Sequence, residues 1–140
     1  MLNFSLNSSY KGLLELLQAK LLIIEKEQEN MAQNFAQEMK RETKEILNIP
    51  ISKNGSKILR SMPLQAPRKE SGNLQNSIDT FVSKQEDSFT ITLFCAASAP
   101  YALYLEYGTS KVAPRPFMLP VLNKYTLLLK EEIKQIGKFL

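Results

Sequence analysis

The chain has 140 residues, 44% of them hydrophobic and 23% charged, a balance that suits one globular domain over 1–140. Its formal net charge is +4, with lysines alternating with glutamates along most of the chain, so the excess reads as surface solvation and leaves only weak attraction to nucleic acid. It holds no histidine and one cysteine, Cys95, which excludes Ser-His-Asp and Cys-His catalysis, a zinc site of several Cys or His ligands, and an intrachain disulfide.

The N-terminal "MLNFSLNSSYKG" lacks the basic start and apolar run of a signal peptide, and "LLII" at 21–24 is far shorter than a bilayer span. The chain is therefore expected to be intracellular or assembled there. Residues 8–47 predict one long helix, or two collinear ones, with Ser8 or Ser9 suited to the N-cap. Leu14, Leu17, Leu21, Ile24, Met31, Phe35, Met39 and Ile46 fall three, four or seven apart, with Gln28 interrupting the seam, close to a heptad stripe. At about 1.5 Å per residue such a helix reaches about 60 Å. A domain of this size does not cover that length, so part of the helix is expected to project and meet another subunit. The alternative is a kinked helix packed wholly on its own domain.

"NIPISKNGSK" (48–57) ends the helix at Pro50 and carries the turn dipeptide Asn54-Gly55. "KILRSM" predicts a short helical turn before Pro63. Pro67 and Gly72 bracket a polar loop, and Ser71 or Asn73 suits the cap of a single turn that carries Leu74 and Ile78 inward. "TFVSK" and "SFTITLFC" predict two strands joined by "QEDS", with Phe89, Ile91 and Leu93 alternating against Thr90 and Thr92 and with Cys95 as a core residue. Two strands alone are marginal, so a further strand is expected from this chain or a neighbour.

"SAPYALYLEYG" (98–108) predicts a short helix at 98–107, with Ser98 at the N-cap, Pro100 in the first turn and Gly108 just past the end. Tyr101, Tyr104 and Tyr107 recur every three residues, a stripe suited to core or interface. Three prolines, Pro114, Pro116 and Pro120, then make a rigid loop that neither helix nor strand runs through. Glu106, inside an apolar segment, needs a partner, and Arg115 or a loop backbone N–H is the nearest candidate. "PVLNKYTLLLKEEIKQIGKFL" closes the chain as an amphipathic helix starting at Pro120, with Val121, Leu122, Tyr125, Leu128, Leu129, Ile133 and Ile136 on one face, broken by Glu132. The fold class is thus α+β: a long N-terminal helix (8–47), then a core over 58–140 built from a small antiparallel β-sheet, the short helix and the C-terminal amphipathic helix packed on the sheet.

Catalytic motifs fail on spacing. "GTSK" at 108–111 lacks both the earlier glycine and the Gly-Lys-Ser/Thr order of a phosphate loop. Glu131-Glu132 and Glu86-Asp87 are adjacent residues in a solvated helix and a turn, where paired acid–base work is improbable. No enzyme, cofactor, metal or small-molecule substrate is expected.

Two segments together, "APRKESGNLQNSI" (66–78) and "PYALYLEYGTSKVAPRPFMLPVL" (100–122), resemble the tail-completion or head–tail joining proteins of long-tailed bacteriophages. The matching residues are Ala66, Pro67, Gly72, Leu74, Ser77 and Ile78 in the first block. In the second they are Tyr101, Ala102, Tyr104, Glu106, Tyr107, Gly108, Thr109, Pro116, Phe117 and Pro120. Glu70-Ser71 stands where the family often has Asp-Thr, and the heptad-like first helix and "NIPISKNGSK" are not diagnostic of it. The resemblance implies a structural, virion-located role at the head–tail junction, with the host cytoplasm as the place of assembly and a prophage as the source. Its partners would be further copies in a ring and other neck and tail proteins, with no membrane and nucleic acid only indirectly.

A ring subunit needs contacts on two different faces. On that expectation Val112–Pro120 is an inter-subunit contact anchored by Phe117 and based on Glu106, with Arg115 a favoured interface residue. The alternative is that Phe117 tucks into its own core and staples the last helix. A small basic nucleic-acid-binding regulator or toxin-like protein is the runner-up function, followed by an unrecognised hydrolase and a coiled-coil adaptor built on the first helix.

Overall fold

A computed structural model describes residues 6–138. The chain is α+β, as its patterning predicts. Helix α1 is Leu6–Ile46, a single run of 41 residues. It starts before Ser8 and Ser9, so both serines lie inside the helix and neither caps it, because a cap must precede the first helical residue. Its C-terminal portion is anchored: Ala32, Ala36 and Met39 are buried, as is Leu47 just past its end, and Thr43, also buried, donates its hydroxyl to the Met39 carbonyl at 2.7 Å.

After Pro50 the chain makes a small hairpin, β1 (Ser52–Asn54) with β2 (Lys57–Leu59). This replaces the helical turn expected over "KILRSM". Asn54 pairs with Lys57 across a two-residue Gly55-Ser56 loop, and Gly55 has φ 62, the conformation that closes a tight hairpin and holds both flanks extended. Ile51 N–H donates to the Lys69 carbonyl at 3.2 Å and Lys69 N–H to the Ile49 carbonyl at 2.7 Å, which ties the polar loop 66–72 beside this segment.

Helix α2 (Asn73–Ser77) is the expected single turn, entered through Gly72. The Ser71 hydroxyl accepts from the Asn73 N–H at 3.3 Å, and Leu74 packs against the core. Ile78 opens the next strand instead of closing this turn. Strands β3 (Ile78–Gln85) and β4 (Ser88–Cys95) form an antiparallel hairpin about Glu86-Asp87. Ile78↔Cys95, Thr80↔Leu93, Val82↔Ile91 and Lys84↔Phe89 pair on the face toward α1. The Thr80 hydroxyl donates to the Ala36 carbonyl of α1 at 3.1 Å.

No third strand joins this pair among the described residues, and β1–β2 remains a separate two-stranded sheet. The reason is the helix: α1 lies across the inner face of β3–β4 and supplies the apolar cover that a marginal hairpin needs. The outer face carries Phe81 and Phe94, whose rings meet edge-on at 5.9 Å.

Helix α3 is Ala102–Tyr107, shorter at its start than expected. Tyr101, not Ser98, is the N-cap position, while the Ser98 carbonyl accepts from the Asn73 amide at 2.9 Å. Helix α4 is Leu119–Gly137, with Pro120 in its first turn. It is not packed along its length: Val121 and Tyr125 are buried against Met39 and the partly buried Phe35, Ile91 and Leu93, whereas Leu122, Leu127, Leu128, Ile133 and Ile136 are exposed. Among the described residues no helix is long and apolar enough to cross a membrane.

Candidate functional site

The two sequence blocks meet around the turn from α3 into α4, and Glu106 is its hub. This carboxylate is buried, yet it forms no ion pair with Arg115. It accepts three backbone N–H groups, from Phe117 at 2.9 Å, Met118 at 3.1 Å and Leu119 at 2.8 Å. Those are the donors that a helix start leaves without partners, and a negative charge there also complements the helix dipole. Glu106 therefore caps α4 from a different helix. Of the two partners foreseen for it, the loop backbone is the one found.

The loop between the helices is tied at several points. Gly108 has φ 74 and ψ −179, and a Cβ there would lie 2.8 Å from the Val112 carbonyl oxygen and 2.9 Å from the Pro114 nitrogen, so only glycine fits. The Thr109 hydroxyl accepts from the Lys111 and Val112 N–H groups at 3.2 and 3.1 Å. Arg115 N–H donates to the Leu105 carbonyl at 2.7 Å, and Leu64 N–H to the Pro114 carbonyl at 2.9 Å.

Phe117 is 0% exposed and packs with Leu47, Ile78, Ala99 and Ala102. The expected inter-subunit anchor is thus corrected: its ring completes the chain's own core and is inaccessible to a neighbour. Of the other predicted site residues, Pro67 and Gly72 are buried, Leu74 is half-buried, and Ile78 is in the core. Pro116 is half-buried, while Thr109 and Pro120 are exposed. Tyr101, Tyr104 and Tyr107 are exposed, Tyr107 by 71%, so the tyrosine stripe is surface and not core.

Pro67, Gly72, Leu74, Tyr101, Leu105 and Arg115 come together as the walls of one cleft of about 280 Å³. Arg60, Arg68 and Lys69 join Arg115 on its lining. These three lay outside the sequence-predicted site. The "PRKE" cluster was the available signal for two of them; Arg60 had none, because only the hairpin brings it near.

A second, apolar groove of about 480 Å³ runs between α3 and the start of α4, lined by Leu93, Leu103, Tyr107, Met118, Leu119 and Leu122. Cys95 closes the inner side of this region. Burial pushes its thiol pKa up, against the lowering contact of the Ser77 hydroxyl 3.6 Å away, and a raised thiol is a poor nucleophile. Among the described residues no three His, Cys, Asp or Glu side chains gather as metal ligands.

The first part of α1 is a long exposed apolar surface. Residues 10–30 are exposed throughout, including Leu13, Leu14, Leu17, Leu21, Ile24 and, at 68%, Leu22. Comparison with family models, with curated proteins and with solved structures gives no match.

Proposed function

We propose that the chain is a non-enzymatic structural protein of a bacteriophage. It acts in tail completion or joining at the head–tail junction and assembles there through ring-type contacts between copies and with other neck and tail proteins. On this reading it is located in the virion and, during assembly, in the host cytoplasm. The resemblance of 66–78 and 100–122 supplies the identity of the system, and the surface of the folded chain supports an assembly role.

One observation carries that role. The chain exposes 10816 Å², whereas a compact protein of its 15.9 kDa exposes about 7,400 Å². The excess is several times the roughly 800 Å² that each partner commits to a standard protein interface. Much of it is apolar and lies on separate elements: the leading part of α1, the tyrosine side of α3 and the trailing part of α4. Subunits of a closed ring need contact surfaces on two different faces, and several such faces are present.

The residues of the second block also do architectural work. Glu106 caps a helix, Gly108 fits a conformation closed to other residues, Thr109 closes a turn and Phe117 fills the core. A motif whose members hold one another in place suits a structural protein better than an active site.

Light scattering behind a sizing column, over a concentration series, tests the reading. A ring-sized species, or a mass that grows with concentration, is expected, together with co-sedimentation on tailless heads or headless tails. A chain that stays monomeric throughout and binds neither particle overturns it.

A further inference from the structure

Four cationic side chains line the cleft where the two sequence blocks meet. Arg60 follows β2, Arg68 and Lys69 belong to the loop before α2, and Arg115 comes from the proline loop. One carboxylate, Glu70, shares the lining. Among the described residues none of the four cations is in an ion pair; the ion pairs join residues of α1, β3 and α4. Arg68 donates to the Ser52 hydroxyl at 3.0 Å and Lys69 to the Asn48 side-chain oxygen at 3.2 Å, both neutral acceptors. The Nε of Arg115 is buried and has no acceptor at all.

That arrangement is costly as it stands. A buried donor left unmade loses its hydration without return, and like charges in a concave site repel through a medium that screens less than water. Lys69 is also held in place. Gly72 is buried at φ 81, and a Cβ there would press on Lys69 Cε at 3.1 Å, so the glycine leaves room for the lysine stem beside it.

We propose that this cleft is an anion-binding site that receives a carboxylate side chain from an acidic segment of a protein partner. Three of its four cations are arginines, whose planar forks match a carboxylate with two parallel hydrogen bonds. The lining also has apolar members, Leu47, Leu74 and Leu105 beside Tyr101, which suits the aliphatic stem of a glutamate and an apolar neighbour. A volume of about 280 Å³ holds a few side chains. Nucleic acid calls for a different layout, with cations spread along a stripe that tracks successive phosphates. The site goes beyond the head–tail reading and does not rest on it.

The test uses the full chain and a fluorescein-labelled hexapeptide, Glu-Leu-Glu-Glu-Leu-Glu, read by anisotropy at low salt. The double variant Arg60→Gln, Arg68→Gln removes two rim charges that the core does not use. The control variant Lys130→Gln, Lys138→Gln removes the same charge from α4 and its C-cap. Expected is binding of the peptide by the native chain, weakened about tenfold or more in the arginine variant and less than about twofold in the control, as charge-assisted pairs require. Circular dichroism of both variants checks that the fold is kept. Three results overturn the proposal: no binding by the native chain, equal weakening in both variants, or a dodecathymidylate probe that binds more tightly than the peptide and is lost with the same arginines.

Discussion

The leading part of α1 and the α3–α4 junction are both rich in large apolar residues, and they meet opposite fates. Around Glu106 the carboxylate, the Thr109 hydroxyl and the Phe117 ring find partners within the chain, down to three backbone N–H groups on one carboxylate. Over 10–30 the leucines and isoleucines of one helix stay exposed. Length explains the difference. Strands of eight residues give α1 a platform of about 27 Å, while a helix of 41 residues runs about 62 Å. The hairpin tip reaches α1 through the Lys84–Glu25 ion pair at 3.3 Å. Beyond that point no described residue covers the apolar side of the helix, and residues 10–24 stay exposed. The apolar stripe continues regardless and stays exposed; on the assembly reading proposed above, a second molecule covers it.

Substitutions at the junction sharpen this contrast from the buried side. Phe117→Ala empties a fully buried site and should cost about 3–5 kcal/mol in urea unfolding, a large part of the stability of a domain this size. A cost under about 1 kcal/mol would mean that the ring is not core. Glu106→Ala should follow, at about 2–3 kcal/mol, because it strands three N–H groups at the start of α4. Glu106→Gln keeps one acceptor oxygen and should lose less than the alanine variant; equal losses would sink the capping role. Gly108→Ala should cost about 1–3 kcal/mol for a backbone conformation that only glycine adopts freely, read as a fall in Tm.

Much of this architecture was legible in the residues. Period-2 alternation over 89–93 and the three- and four-residue steps of α1 and α4 report local geometry, and both survived folding. Asn54-Gly55 was visible as a turn, but what it joined was not. Lys57–Leu59 carries no alternation long enough to mark a strand, and only the tight loop makes it one. Glu106 stood out as a charge in an apolar segment, and its need for a partner was readable. Which partner depended on where α4 begins, a tertiary fact. Phe117 was harder still. A phenylalanine between prolines looks like an exposed anchor, and its burial depends on Leu47 and Ile78, residues far away in the chain. The cleft cations were the least legible, since three separate segments of backbone bring them together.

Substitutions in the exposed part of α1 test the other side. Leu17→Gln with Leu21→Gln changes two exposed residues outside both core clusters and keeps helix propensity nearly constant. Stability of the isolated chain should move by no more than about 0.5 kcal/mol, while the concentration-dependent mass falls toward that of the monomer. A loss of stability above about 1 kcal/mol without any change in mass would mean that this stripe packs on its own domain after all.

The smallest effect expected is one of pH, at the second of the two buried residues of α4. Tyr125 packs edge-on against Phe35 with centroids 5.9 Å apart, and its phenol lies near Glu42. Burial, and then the Glu42 carboxylate, push its pKa up to about 12 from an ordinary value of about 10. Glu42 in turn is held below the usual carboxylate range by the Lys124 ammonium, hydrogen-bonded at 2.8 Å to both oxygens. The folded state thus keeps the Tyr125 proton longer than the unfolded chain does. Its contribution is complete below about pH 10 and is lost as the pH rises through about 12. Tyr125→Phe preserves the ring and removes the titrating group. Urea midpoints taken at pH 8 and pH 11 should therefore fall further for the native chain than for the variant. Parallel declines would show that the phenol titrates alike in both states and that Tyr125 is no more enclosed than the tyrosines of α3.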